Sequence, residues 1–135
     1  MARKRIEQVD LGIRQKMIMK SLWKLGGEAT IPAISARMQE DYGSSLTGQA
    51  MNTMLLLMMD KGIVRRGERK SHAFMYYATI TEEEYRDKEV ARMCSFTFDG
   101  SASDVVASLL KTDVSKEELK KIRALLRNAK NTETE

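Results

Sequence analysis

A single cysteine, a single histidine and no long apolar run close off much chemistry to these 135 residues. One cysteine, Cys94, excludes an internal disulfide, and the expected compartment is a reducing one, the cytoplasm. No apolar stretch approaches the roughly 20 residues that a membrane-spanning helix needs, so no membrane partner is expected. The opening MARKRIEQVD is basic. No apolar core follows it, which is not the layout of a signal peptide. One histidine, His72, and one cysteine cannot build a nucleophile–base–orienter set. A phosphate-cradling glycine loop and a cluster with metal-ligand spacing are also missing. No enzymatic activity, cofactor or metal is expected.

What is present is charge, unevenly spread. Residues 1–78 carry 13 Lys and Arg against 7 Asp and Glu, a balance of +6. Residues 79–135 carry 10 against 12, a balance of −2, and the halves together make the chain's +4. An excess confined to one half points to a polyanion partner for that half; the plainer alternative is scatter in a Lys-rich chain. The length allows one domain or two small ones.

The stretch from Thr47 to Ala78, TGQAMNTMLLLMMDKGIVRRGERKSHAFMYYA, organises the basic half. Met51, Met54, Leu55 and Met58 recur at i, i+3, i+4 and i+7, one face of a helix over Thr47 to Lys61, with Gly62 as its stop. Two β-favouring runs follow, one from Ile63 and Val64, the other Phe74 to Tyr77. Arg65, Arg66, Arg69 and Lys70 lie between them around Gly67. A polar-faced helix followed by a basic two-stranded ribbon is the layout of a winged helix, which places the helix in a DNA major groove and the ribbon on the backbone.

Upstream, Arg3, Lys4 and Arg5 form a basic arm. Leu11, Ile18, Leu22 and Leu25 share one helical face, with Met19 and Trp23 beside it, and Gly26 and Gly27 end that helix. Trp23 reads as a core anchor. Thr30 is a candidate N-cap, with Pro32 in the first turn; Ile31, Ile34 and Met38 then mark a second helix ending near Glu40. This helix, a turn over Glu40 to Leu46 and the helix from Thr47 make a helix-turn-helix. Downstream, Thr81 and Glu84 form a capping box for a connecting helix reaching about Met93. SFTFDGSAS, residues 95–103, is a break. Val105, Val106, Leu109 and Leu110 mark a short helix. Ser115 and Glu118 form a second capping box, for a last helix carrying Leu119, Ile122, Leu125 and Leu126. The chain from Asn128 onward is expected to fray. These last two helices hold only about thirty residues, too few to bury a core alone. Their apolar stripes need a partner: the same segment of a second chain across a two-fold axis, or the winged helix itself.

The expected architecture is mostly α with a small β-wing: a winged helix-turn-helix over 1–80, then a connecting helix and C-terminal dimerisation helices over 81–135. On the helix, Thr47, Gln49, Ala50, Asn52 and Thr53 are the candidate DNA contacts. Gln49 and Asn52 can each pair with adenine, and Thr53 or Ala50 can touch a thymine methyl. On the ribbon the candidates are Arg66, Arg69, Lys70, Ser71 and His72. The cations suit phosphates, which set affinity and register but not sequence. Arg65 and Arg66 are neighbours, so they point to opposite faces of a strand. The plainer alternatives are a solvated helix face and a bystander histidine. Cys94 and the ten methionines read as packing residues. Leu56, Leu57 and Met59 exceed the helix's apolar stripe; packing on the first or the connecting helix would account for them.

From Leu11 to about Leu126 the chain resembles the penicillinase and methicillin-resistance repressors and their copper-responsive relatives, the BlaI/MecI/CopY group. Leu11, Met19, Leu22, Trp23 and Gly26 match an L…M..LW..G pattern. ATIPAISARM is similar to the family's second helix, Asn52 to Leu55 to the middle of its recognition helix, and KGIVRR to the strand after it. AFMYYATITEEEY is similar to its wing strand and the next helix start. GSASDVVASLL and VSKEELKKIRALL resemble its dimerisation helices. The resemblance implies a homodimeric transcriptional repressor bound to double-stranded DNA at an inverted repeat. It further implies a regulatory protease as a partner, cleavage near the boundary between the halves, and antibiotic resistance as the regulated trait. A winged helix used as a protein-interaction module is the alternative. Leu46, Gln49, Ala50 and Leu57 stand where the family often has an aromatic, a basic residue or serine, Thr and Arg, so the family's operator is not carried over. The paired C-terminal cysteines of the copper-responsive members are missing.

Overall fold

The computed structural model describes residues 11–129, and the basic arm and the last six residues lie outside them. Those residues form two compact units, one reaching Met93 and the other starting at Cys94.

The first unit begins with α1, Ile13–Lys24. Its face of Ile18, Met19 and Leu22 is fully buried. Gly26 and Gly27 end it as expected, both at positive φ (92° and 89°), where a side chain would be strained. Directly after them a two-residue strand, β1 (Glu28–Ala29), pairs with a later strand. Helix α2, Ile31–Tyr42, starts on Thr30, whose hydroxyl accepts from the Ala33 N–H at 3.4 Å. It runs two residues beyond the expected Glu40 and stops on Gly43, in the left-handed conformation that commonly ends a helix. Helix α3, Gly48–Asp60, is capped by Thr47, whose hydroxyl accepts from the Ala50 N–H at 3.1 Å.

Strands β2 (Val64–Lys70) and β3 (Ala73–Ala78) form the hairpin. The sheet has three antiparallel strands in the order β1-β3-β2, not two. A two-residue strand shows no alternation, so only its pairing (Glu28 with Tyr77, Ala29 with Tyr76) defines it. Helix α4, Glu82–Arg92, opens on the complete Thr81–Glu84 capping box. It is tied to α1 by ion pairs from Lys20 to Glu82 and from Lys16 to Glu89. Trp23 is a core anchor: its indole N–H donates to the Ile80 carbonyl at 2.9 Å, and its ring tilts against Tyr85. Ile34, Met38, Met51, Leu55, Met58, Ile63 and Tyr76 complete the cluster.

A wider helical turn covers Met93–Thr97, so the break is narrower than expected. It falls around Asp99 and Gly100, both at positive φ. Helix α5, Ala102–Leu109, is capped by Ser101, and α6, Lys116–Asn128, by Ser115. The second capping box is only half made: the Ser115 hydroxyl accepts from the Glu118 N–H, but the Glu118 carboxylate turns to Lys121 at 3.5 Å. No described residue of the second unit is buried.

Two substitutions probe the first unit. Ser21 is fully buried and its hydroxyl has no protein partner. Ser21→Ala removes an unsatisfied group and improves helix propensity, so it raises stability by about 1 kcal/mol, read from urea unfolding. Asp41 accepts from Arg37 on its own helix at 2.8 Å and from Lys24 of α1 at 3.0 Å. These hydrogen bonds, Arg37 first, lower its carboxyl to about 2. A carboxyl lowered in the folded state stabilises above its unfolded value, about 3.9, and loses that contribution as pH falls through about 2. Asp41→Asn therefore flattens the stability–pH curve between pH 4 and 2, with little change in its slope above pH 5.

Candidate nucleic-acid interface

The buried side of α3 determines its exposed side. Met51, Leu55 and Met58 have no solvent exposure. At 100° per residue, the positions opposite them are 49, 53, 56 and 60. Gln49, Thr53, Leu56 and Asp60 are indeed exposed. Asn52 is exposed on one shoulder of this row, Leu57 and the half-buried Ala50 on the other. Thr47 is exposed at the helix start, with its hydroxyl engaged as the cap. Met59 packs against the core. Leu56 and Leu57 do not pack on the first or the connecting helix: they are 47% and 50% exposed. The expectation failed because α3 already fills its core side with three buried residues, leaving no room for two more.

A partly buried polar contact holds α3 to α1. The Gln15 carbonyl accepts from the Lys61 ammonium, just past the end of α3, at 3.0 Å. The Gln15 amide points at the Met54 sulfur at 3.8 Å. Gln15 is itself buried, so the rotation of α3 is fixed by packing and by a hydrogen bond together.

The ribbon departs from simple alternation. Arg66 pairs with Tyr76, but Arg69 pairs with Phe74, so one extra β2 residue is accommodated between them. This bulge brings Arg66 and Arg69, three apart in sequence, to one side of the hairpin. Their guanidinium carbons lie 4.5 and 5.2 Å from the Phe74 ring centre. Arg65 goes to the other side and stacks on Tyr77 at 4.2 Å, so the two neighbouring arginines do diverge. Cation–π contacts at exposed sites contribute about 0.5–1 kcal/mol each and limit where a guanidinium swings. Lys70, Ser71 and His72 are exposed at the hairpin end, where Ser71 takes φ of 60° in the two-residue loop.

Gly67 is the residue that permits the bulge side of this arrangement. A Cβ there would lie 2.5 Å from Cε1 of Tyr77. The ring covers the glycine and donates its hydroxyl to Glu68 at 3.1 Å. Glu68 is held below the usual carboxylate range by a hydrogen bond from its own backbone and by Tyr77. The Tyr77 hydroxyl is pushed up in return. Phe74 and Tyr77 were legible only as strand residues, and a glycine inside a strand was the available sign of a bulge.

A capped helix with an exposed polar row and a basic hairpin define a winged-helix module of the DNA-binding class. The chain belongs to the penicillinase repressor family, whose model matches residues 11–128. That family consists of transcriptional regulators, and the protein is a DNA-binding transcriptional repressor, not an enzyme. No curated protein sequence matches the chain. Among solved structures, the complex hsRosR-SG is similar at 20% identity over 90% of this chain and 94% of that one, with a TM-score of 0.54. RosR of H. salinarum grown from NaBr is 19% identical over 88% and 93%, with a TM-score of 0.51. AbfR of Staphylococcus epidermidis is 17% identical over 93% and 80%, at 0.46. The likeness to the two RosR structures, at these identities, shows a shared fold. Among the described residues no helix is long and apolar enough to cross a membrane, and no group of acidic, His or Cys side chains could hold a metal.

Gly67→Ala should displace the Tyr77 ring and disturb the hairpin while leaving the helices intact. The expected result is unchanged far-ultraviolet circular dichroism with altered Tyr77 and Phe74 ring resonances. Unmoved rings would show that the hairpin absorbs a methyl group there.

Proposed function

We propose that the protein acts as a homodimeric repressor on an inverted-repeat operator, each protomer reading one half-site. The observation that carries this reading is the unburied apolar face of the second unit. Leu125 and Leu126 are 70% and 62% exposed; Leu109 and Leu110 are exposed too, and Val105, Val106, Leu119 and Ile122 are only half-covered. Leucines repeated on two well-capped helices with no core of their own fit an interface between copies. In the first unit, Gln49, Asn52 and Thr53 are the base-reading candidates. Arg66, Arg69 and Lys70 are the phosphate contacts, with Ser71 and His72 at the ribbon tip.

One winged helix is a small contact surface and binds weakly. Joining two makes the second half-site contact intramolecular, and avidity can then exceed single-module affinity by about 10² to 10⁴. Release follows from the same arithmetic. Ser95, Phe96 and Thr97 are exposed at the start of the second unit. Cleavage there by a regulatory protease would separate the reading modules from the dimer helices without unfolding either. A β-lactam signal is the trigger that the family membership suggests.

Leu125→Asp with Leu126→Asp tests this on the full chain. Both leucines are solvent-exposed in the protomer, so the fold tolerates the change. The variant should sediment as a monomer and bind an inverted repeat about 10²-fold or more weaker, with single half-site affinity unchanged. Wild-type binding should also fall by orders of magnitude from about 50 to about 200 mM salt. A variant that stays dimeric with full affinity would place the interface elsewhere.

A further inference from the structure

The exposed row on α3 contains one residue that does not suit a solvated surface. Gln49 and Thr53 are polar and Asp60 is charged; Leu56 stands in line between Thr53 and Asp60, about half exposed. A single exposed leucine on a protein surface is ordinary, so exposure alone decides nothing. Its place in the row does. Leu56 lies seven residues beyond Gln49 on the same line, about 10.5 Å along the axis at 1.5 Å per residue. A side chain that far along the helix meets the groove beyond the base pair that Gln49 faces. A helix that presents Gln49 and Thr53 to base edges therefore brings Leu56 to a base pair further along the same groove.

The chemistry of the major groove then narrows the contact. Its floor offers hydrogen-bond donors and acceptors, and a single apolar group, the C5-methyl of thymine. A leucine cannot use the donors and acceptors. It would bury them without replacing their hydrogen bonds, which is unfavourable. Against a methyl it loses nothing and removes apolar surface from water on both sides. The backbone beneath it is fixed, because Leu55 and Met58 are fully buried and Lys61 is held by Gln15.

We infer that Leu56 is a specificity-determining residue that selects thymine at one position of each half-site through its C5-methyl group. The inference rests on the proposal that α3 reads DNA. It adds to Gln49 and Asn52, which recognise by hydrogen bonding, a contact that recognises by shape and hydrophobicity alone.

Replacing thymine by deoxyuridine removes the methyl and leaves every hydrogen-bonding group in place. The probe is the tightest duplex enriched from a random-sequence pool by the full-length protein, together with versions carrying deoxyuridine at each thymine in turn. Wild-type affinity should fall about threefold to tenfold at one position per half-site. Leu56→Ala should weaken the thymine duplex by a similar factor and become indifferent to uracil at that position. Leu56→Met, which keeps an apolar side chain of similar size, should retain the sensitivity and carries the test if the alanine variant binds too weakly to measure. Val90→Ala, which removes an exposed apolar side chain from α4 instead, should respond to uracil as the wild type does. An enriched duplex whose binding no uracil weakens, or an alanine variant as sensitive as the wild type, overturns the role of Leu56 while leaving DNA reading intact. A pool from which no sequence is enriched overturns the DNA reading, and this inference with it.

Discussion

Burial of Met51, Leu55 and Met58 in the cluster built by Ile18, Leu22, Ile34 and Met38 sets which side of α3 faces outward. Each fully buried side chain of this kind contributes about 1.5–3 kcal/mol. A domain's whole stability is about 5–15 kcal/mol. Turning α3 by one residue's 100° would expose part of this face, at a cost comparable with that total. The outward row is therefore as firmly determined as the core. Gln15 adds a directional restraint, because its carbonyl accepts from Lys61 at the end of the helix whose rotation matters.

The hairpin depends on a different constraint. Strand alternation would separate Arg66 from Arg69, and the bulge cancels it by admitting one extra residue. The bulge sits at Gly67, where the Tyr77 ring leaves no room for a Cβ. On one side Phe74 takes the guanidinium groups of Arg66 and Arg69; on the other Tyr77 takes Arg65 and Glu68. The aromatic residues thus sort the cations between the two faces. The negative charge of Glu68 is engaged locally by its own backbone and by a tyrosine hydroxyl.

The second unit follows the opposite logic. Its helices are well specified locally, by Ser101 and Ser115 as caps and by regular leucine spacing. Yet none of its described residues is buried. Local signals suffice to make a helix and do not provide something to pack against, so the leucines of these helices stay uncovered.

Much of the fold was legible in the sequence because its signals are local. Paired glycines after α1, Thr30, Thr47 and Thr81 as caps, and the 3.6-residue spacing of apolar positions each act within one or two turns. The polar face of α3 was legible for the same reason, with Gln49, Asn52 and Thr53 all exposed. Tertiary structure decided what depends on a partner distant in sequence. Strand β1 exists only by pairing with β3, nearly fifty residues later. The grouping of Arg66 with Arg69 arises from register between strands, which no single strand encodes. Leu56 and Leu57 read as surplus core residues because hydrophobicity was the available criterion. Only the finite space beneath α3, already filled by three neighbours, turned them outward.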